Sequence, residues 1–228
     1  MSIRYARTWA KFRKIIEADR TSGTDPLTPG ELLAVMDGLE ANALPAPGKP
    51  RVAVFIDGSN LFGALRTFVD HVRYEPAKLC ALLTGPDRQL VEWRYYDAPL
   101  VETNPAYDGQ QRFYAVIRRD PRSHLCLGRT AYNEGNGYQQ KGVDVRLALD
   151  LVEMAAQDRY DVAVLCSADE DFVPAVEAVQ TTHGRTVEIA MPTGAKLYQL
   201  EQIAGKVQWI SKEMYDQARL AKPTDAQT

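Results

Sequence analysis

The stretch RVAVFIDGSN, residues 51–60, decides how the rest of the chain is interpreted. Residues 52–56 are continuously apolar, which is typical of a strand buried on both faces of a parallel sheet. The run ends at Asp57, and the turn-forming sequence GSN follows at once. An aspartate at this point can simply begin an Asx turn and cap the next helix, or it can face a ligand at the end of the strand.

A second apolar run, DVAVLCS at residues 161–167, has the same character. Helix-like and strand-like segments alternate along this part of the chain, including a predicted strand over 124–132 and a polar turn over 137–142. We therefore expect an α/β fold of three α/β/α layers, Rossmann-like and PIN-like, with a mostly parallel central sheet. In such a sheet the carboxyl ends of the strands share one side, where ligands bind.

Acidic residues follow both apolar runs and also open a helix between them. Asp57 ends the first run, Asp169 and Asp171 follow the second, and Asp144 stands at the start of a predicted helix over 145–156. Each has a structural alternative, because an aspartate just before a helix is a common N-cap. Together they form an oxygen-only ligand set without His or Cys, which suits Mg²⁺ or Mn²⁺.

Polar neighbours of these acids extend the candidate site. Asn60, Ser59 and Ser167 can hold a ligand carboxylate in place or contact the substrate. Asp150 lies inside the helix and has three possible orientations: it can face solvent, pair with Arg146, or point back toward the acids.

Three motifs resemble the NYN domain family, specifically its bacterial LabA-like branch within the PIN-like nucleases. They are FIDGSNL at 55–61, KGVDV at 141–145 and SADEDFVP at 167–174. The resemblance covers roughly residues 51–210, and it depends on three linked motifs in order. It implies a PIN-like α/β/α fold and divalent-metal-dependent cleavage of RNA.

Carried over position by position, the resemblance implies that four aspartates are the catalytic and metal-binding acids: Asp57, Asp144, Asp169 and Asp171. It implies that Asn60 is their polar partner in the first motif. The chain departs from the usual SGDSDF of the family, because alanine replaces the glycine and glutamate replaces the serine. We expect this departure to tune the site, since the acids themselves are retained.

A basic segment between residues 111 and 146 supplies groups that can hold a phosphodiester. Lys141, three residues before the aspartate of the KGVD motif, is the best placed to contact a phosphate. Arg118, Arg119 and Tyr138 are further candidates, although the arginines can equally solvate a helix face. Interleaved aromatic side chains favour single-stranded RNA over duplex RNA as the partner.

Composition excludes several classes of protein. Three widely separated cysteines indicate neither a disulfide framework nor a zinc site, which favours a reducing compartment. The net charge of −3 gives no overall attraction to nucleic acid, so binding must come from local patches. No signal-peptide core or apolar run of about 20 residues is present. We therefore expect a cytoplasmic protein.

The sequence predicts three segments. Residues 1–49 are a helical extension with a proline-rich linker, residues 50–211 are the nuclease-like domain, and residues 212–228 are a terminal helix and tail. The extension has helical patterns at 4–19 and 28–39. It is a candidate for self-association, RNA capture or contact with a protein partner.

Three functions remain open from the sequence: a metal-dependent endoribonuclease, a non-catalytic module that binds RNA or protein, and a phosphate-ester hydrolase. The chain has no GxxxxGK[ST] loop, so P-loop nucleotide hydrolysis is not indicated. It also lacks the DxDxT/V sequence of aspartyl-phosphate phosphatases, because Asp57 is followed by glycine and serine.

Overall fold

Six parallel strands form the central sheet of the protein in a computed structural model that describes residues 48–135 and 137–220. Two further strands, β4 and β5, pair separately as an antiparallel hairpin. In chain order the strands are β1 (Arg51–Asp57), β2 (Gln89–Asp97), β3 (Ser123–Leu127), β4 (Arg129–Asn133), β5 (Gly137–Lys141), β6 (Val162–Cys166), β7 (Thr186–Pro192) and β8 (Lys206–Ile210).

Helices cover both faces of the sheet, which confirms the predicted three-layer α/β/α architecture. A short 3₁₀ turn, Glu170–Phe172, follows β6. The helices are α1 (Gly58–Phe68), α2 (Pro76–Thr84), α3 (Tyr107–Ile117), α4 (Val143–Ala156), α5 (Val173–Thr181), α6 (Tyr198–Ile203) and α7 (Lys212–Ala218). Helix α4 packs on α5 and α5 on α6, whereas α2 packs on α7.

The strand order β3-β2-β1-β6-β7-β8 places the two apolar runs side by side at the centre of the sheet. From β1 the chain builds outward through β2 to β3, and it later returns to β6 and builds outward in the opposite direction. The boundary between β1 and β6 is therefore the switch point at which such sheets bind ligands. Ile56 pairs with Cys166, so the next residues, Asp57 and Ser167, emerge level with each other.

Buried apolar side chains from the central strands form the core, as the continuous apolar runs predict. Residues 52–56 of β1 are at most 1% exposed, and Val164 and Leu165 of β6 are fully buried. Burial of one such side chain contributes about 1.5–3 kcal/mol to folding. Because both faces of these strands are covered, polar groups reach solvent only where the strands end.

The region between β3 and α4 differs from the sequence prediction. The single strand predicted over 124–132 is wrong, because the chain breaks at Gly128 and passes from the sheet into the hairpin. A Cβ atom at Gly128 would lie 2.7 Å from the carbonyl oxygen of Lys141, so the backbones approach more closely than a side chain allows. The polar turn predicted over 137–142 is instead mainly strand β5, held by its ladder with β4.

Several predictions fall on residues that the structure does not describe. The helices predicted at 4–19 and 28–39 lie outside the described residues, as does most of the linker and the tail from residue 221. The three-segment division therefore stays a prediction. Within residues 48–135 and 137–220, none of the helices is long and apolar enough to cross a membrane.

Candidate metal centre at the carboxyl end of the sheet

Asp57 is the last residue of β1, and its side chain is only 2% exposed. One carboxylate oxygen accepts hydrogen bonds from the Asn60 amide and the Ser59 hydroxyl, both at 3.1 Å. The other accepts from the Ser167 hydroxyl at 3.0 Å. The N-cap role considered for Asp57 is therefore confirmed, and the same contacts fix its carboxylate at the switch point.

Burial raises the pKa of Asp57 above its usual value, and the negative charge of Asp144 adds to that shift. The three hydrogen bonds act in the opposite direction, because each one stabilises the ionised carboxylate. Asp57 is thus a carboxylate held in a fixed position at an electrostatic cost. Such a group becomes more stable when a cation approaches it.

Gly58 is required by close packing directly behind Asp57. A Cβ atom at this position would lie 2.6–2.8 Å from two ring carbons and the hydroxyl oxygen of Tyr95 on the neighbouring strand. The ring is buried and cannot move aside without disturbing the core. The glycine of the DGSN sequence therefore lets α1 begin immediately after the strand.

The loop after β6 is joined to the first turn of α1 by a hydrogen bond, and a second one orders the loop itself. The Ala168 amide donates to the side-chain oxygen of Asn60 at 3.1 Å, and the Asp169 amide donates to the Ser167 hydroxyl at 3.1 Å. Asp169 in turn caps the 3₁₀ turn, because its carboxylate accepts from the Asp171 amide at 3.0 Å. Asn60 and Ser167 therefore set the spacing between Asp57 and the second pair of acids.

Ser167 has no exposed surface. Its hydroxyl already donates to Asp57 and accepts from the Asp169 amide. The direct substrate contact predicted for Ser167 has no support in this arrangement, and its position is that of a residue that orients two acids. Ser59 is exposed, so its predicted contact with substrate stays a prediction.

Asp144 approaches the same site from α4. Gly142, with φ of 78°, is the N-cap of this helix, so the alternative in which Asp144 is the N-cap is wrong. Asp144 instead lies exposed in the first turn. Partial desolvation of its carboxylate raises the pKa of Asp144, and the negative charges of Asp169 and Asp171 raise it further. The structure therefore places acids from β1, α4 and the loop after β6 within range of one another's charge.

The acids do not form a ready-made cage. Among the residues that the structure describes, no group of three or more His, Cys, Asp or Glu side chains could hold a metal ion as placed. The donor chemistry nevertheless fits Mg²⁺, which keeps several waters and commonly binds proteins through one or two carboxylates together with substrate phosphates. The four aspartates suit a divalent cation because their carboxylates repel one another and form no ion pair within the described part of the chain.

Glu170 makes its hydrogen bond to a different element from the acids that flank it. Its carboxylate accepts a hydrogen bond of 2.9 Å from the Gln199 amide in the first turn of α6. Ala168, the other departure from the usual motif, contributes its backbone amide to Asn60. Each of the two departures therefore takes part in a hydrogen bond of this chain, Glu170 through its side chain and Ala168 through its backbone.

The predicted substrate-binding side chains are exposed but lie on different elements. Lys141 ends β5, and Tyr138 on the same strand packs edge-on against Tyr132 with the ring centres 5.2 Å apart. Arg118 and Arg119 follow α3. All four are accessible to a ligand, and their roles stay predictions.

The sequence interpretation missed Arg94, which lies inside the aromatic strand β2. Its guanidinium donates to Asp150 at 2.9 Å, and Tyr96 donates to the same carboxylate. Arg146 also pairs with Asp150, which confirms one of the three orientations considered for that acid. A charged side chain within a strand rich in buried aromatic residues was the available signal, because a buried charge needs a partner.

Comparison with known proteins bears on the family and on the fold. The family model described as the NYN domain matches residues 51–207. A crystal structure of a protein of unknown function from Vibrio parahaemolyticus superposes with a TM-score of 0.60 at 18% sequence identity, covering 77% of this chain and 99% of that one. At that identity the likeness concerns the fold alone. No curated protein matches the chain.

Proposed function

The chain belongs to the NYN domain family, one of PIN-like nucleases, and we propose that it is a divalent-metal-dependent endoribonuclease. The observation that carries the proposal is the approach of Asp57, Asp144 and Asp169 from three separate elements to the switch point of the sheet. None of these acids forms an ion pair in the described part of the chain. Within the family, the three motifs favour the LabA-like branch.

Asp57, Asp144, Asp169 and Asp171 are the residues that would hold the cation, either directly or through water. A bound Mg²⁺ or Mn²⁺ supplies a Lewis acid that polarises a phosphoryl oxygen and neutralises charge in the transition state. Asp57 provides the fixed point, because three hydrogen bonds hold its two oxygens in place. Asn60 links this fixed point to the loop of Asp169 through the Ala168 amide.

Single-stranded RNA is the proposed substrate. Lys141 lies next to Gly142 at the start of α4, so it is well placed to contact a phosphate near Asp144. Tyr138 is 58% exposed on the hairpin and offers a ring face to an unpaired base. Arg119 adds positive charge after α3. These roles deepen the family-level assignment of a nuclease.

The test is cleavage of labelled single-stranded RNA with Mg²⁺ or Mn²⁺, with EDTA as the metal-free condition. We expect cutting that EDTA and Asp169→Asn both abolish. Asp161→Asn is the matched control, because Asp161 is an aspartate at the opposite end of the sheet in an ion pair with Arg51. This variant should cut RNA like the wild type.

Parallel readouts separate the alternatives. RNA binding without cleavage under every metal condition would favour the non-catalytic module. Cleavage of p-nitrophenyl phosphate with intact RNA would favour the phosphate-ester hydrolase. Metal binding can be followed without catalysis, because a ligand that binds only the folded state raises the melting temperature. We expect Mn²⁺ to raise the melting temperature of the wild type more than that of Asp169→Asn.

A further inference from the structure

A cavity of about 620 Å³ lies beside the edge strand β3, separate from the four acids. Its walls come from β2, from the turn after α3, from β3 itself and from α4. Three arginines line it: Arg94, Arg118 and Arg146. The volume falls in the range of about 300–1,000 Å³ that is usual for small-ligand sites in proteins.

Two of these arginines are held in position by carboxylates. Arg94 donates to Glu92 at 2.8 Å and to Asp150 at 2.9 Å. Arg146 lies 3.2 Å from the opposite oxygen of Asp150, while its side chain is still 62% exposed. Asp150 therefore ties a strand arginine and a helix arginine together at the cavity wall.

Arg118 differs, because it forms no ion pair within residues 48–135 and 137–220. Its guanidinium lies 6.0 Å from the centre of the Tyr114 ring, and its side chain is exposed. The acid that also lines the cavity, Asp120, is neutralised by Arg122 through hydrogen bonds to both of its oxygens. The cavity thus has one arginine without a carboxylate partner.

The surrounding charges leave the cavity positive. Its immediate network contains five arginines and three carboxylates, an excess of two positive charges, in a protein whose net charge is −3. The arginines are Arg94, Arg118, Arg122, Arg146 and Arg159, and the carboxylates are Glu92, Asp120 and Asp150. Local positive charge inside an acidic protein attracts an anionic ligand to this place.

We propose that this cavity binds a phosphate group of the RNA other than the one that is cleaved. The identity of the ligand as RNA rests on the proposed function, whereas the anionic character of the site rests on the arginines. Guanidinium groups suit this task because their planar donors match phosphate oxygens in pairs. Arg118 and Arg146 are the two accessible groups that contact the phosphate, and Arg94 supplies charge from the wall.

Helix α4 connects this cavity to the acids. Asp144 and Arg146 both lie in its first turn, and residues two apart on a helix of 3.6 residues per turn point to nearly opposite sides. The two sites are therefore separated by about one helix diameter, on the order of 10–12 Å. One RNA strand can cross the start of α4 and engage both, so that the cavity fixes the distance between an anchored phosphate and the cut.

The test is RNA binding in EDTA, so that metal-dependent cleavage does not consume the RNA during the measurement. The variant is Arg118→Gln/Arg146→Gln, which leaves the partly buried Arg94 and its carboxylates intact. The matched control, Arg66→Gln/Lys206→Gln, removes two exposed positive charges on α1 and on β8, the opposite edge strand. Short single-stranded RNA is offered with a 5′-phosphate and with a 5′-hydroxyl, over a range of salt concentrations.

We expect the cavity variant to bind RNA about tenfold more weakly, while the control variant binds like the wild type. The slope of log affinity against log salt should fall in magnitude by about 0.7 for each phosphate that the variant no longer neutralises. A preference for the 5′-phosphate that disappears in the variant identifies a terminal phosphate. Equally weakened binding of both RNAs identifies an internal one.

Equal binding by the cavity variant and the control would overturn the inference. The single variant Arg118→Gln is the control for misfolding, because this exposed side chain has no carboxylate partner that its loss would leave unpaired. Weaker RNA binding by this variant therefore reports on the cavity and not on the fold. If the wild type binds RNA through the cavity but never cleaves it, the nuclease proposal fails and the cavity stands. If it cleaves RNA and the cavity variant binds unchanged, the cavity fails and the nuclease proposal stands.

Discussion

The two ends of the central sheet carry acids in opposite electrostatic settings. At the amino end, Asp158 and Asp161 share two arginines, Arg51 and Arg185, in a network of four ion pairs. At the carboxyl end, the four aspartates of the candidate metal centre have no such partner among the described residues. The acids of the amino end are neutralised within the chain, and those of the carboxyl end are not.

The pKa shifts follow this difference. Hydrogen bonding from Arg51 lowers the pKa of Asp161, whereas burial raises the pKa of Asp57. An acid with a lowered pKa in the folded state stabilises the fold at neutral pH, and one with a raised pKa destabilises it. The ion-paired acids of the amino end therefore stabilise the fold, whereas the buried charge of Asp57 at the carboxyl end destabilises it in the absence of a cation.

The largest effect is expected from Asp57→Asn, which removes the fixed carboxylate. We expect RNA cleavage to fall by roughly 100-fold or more, because the metal supplies several kcal/mol of transition-state stabilisation. In the absence of metal, the Asp57→Asn variant should melt at a higher temperature than the wild type at neutral pH, because it lacks a buried negative charge that destabilises the fold. The gain should shrink as the pH falls and the wild-type carboxyl takes up its proton.

Cleavage assays and thermal melts over a pH series check this prediction. Asp161→Asn at the amino end is the control and should show the reverse, with normal cleavage and a lower melting temperature. A melting temperature that drops in Asp57→Asn would show that its hydrogen bonds matter more than its desolvation, and the two ends of the sheet would then no longer differ in this respect.

Gly58→Ala tests the close packing that positions Asp57. We expect a loss of about 1–3 kcal/mol in the free energy of unfolding, because the added methyl group meets the buried Tyr95 ring. Gly63→Ala is the control on the same helix, where a Cβ meets nothing within 4 Å. That change should stabilise by about 0.5–1 kcal/mol. Denaturant unfolding measures both, and equal effects would contradict the packing account.

Gly142→Ala and Gly184→Ala compare backbone strain at the two ends of the sheet. Both glycines have positive φ, 78° and 61°, and a Cβ would meet nothing within 4 Å at either. Each substitution should cost about 1–2 kcal/mol, because the left-handed conformation is unfavourable for alanine. Only Gly142→Ala should also slow RNA cleavage, because Gly142 begins the helix that carries Asp144. Equal cleavage by the two variants would show that the backbone at the start of α4 does not position Asp144 for cleavage.

Asp161→Asn measures the ion pairs of the amino end. We expect a loss of at most about 1 kcal/mol at pH 7, since water screens these partly exposed groups. The pKa of Asp161 is depressed, so its contribution is present above the ordinary value of 3.8 and is lost as the pH falls through the folded value. The wild type and the variant should therefore converge in acid. A difference in the free energy of unfolding that persists at low pH would show that packing, and not charge, accounts for the effect.

The smallest effect is expected from Glu170→Ser, which restores the residue usual at this position of the motif. Loss of the hydrogen bond to Gln199 should cost about 1 kcal/mol or less, because the group is exposed. Cleavage should change little, since the carboxylate of Glu170 is engaged by the Gln199 amide of α6. A large change in the metal concentration needed for cleavage would show that Glu170 acts at the centre itself.

The sequence by itself determined the layers of the fold and the positions of the acids along the chain. Continuous apolar runs become central parallel strands because both faces must be covered, and parallel strands bring their carboxyl ends together. For that reason the sequence alone was enough to assign Asp57 and Asp169 to the carboxyl edge of the sheet. The Asp150–Arg146 pair was also accessible, because a spacing of four residues on a helix is a local rule.

Only the tertiary structure decided the features that join distant segments. The Ser167–Asp57 bond spans 110 residues, and the Arg94–Asp150 pair spans 56. The hairpin of β4 and β5 was missed because its polar strands lack an apolar pattern, and it forms through its own ladder. Contacts of this kind depend on the strand order and on the side from which α4 approaches the sheet. No local pattern encodes that choice, because it is settled by packing the whole core.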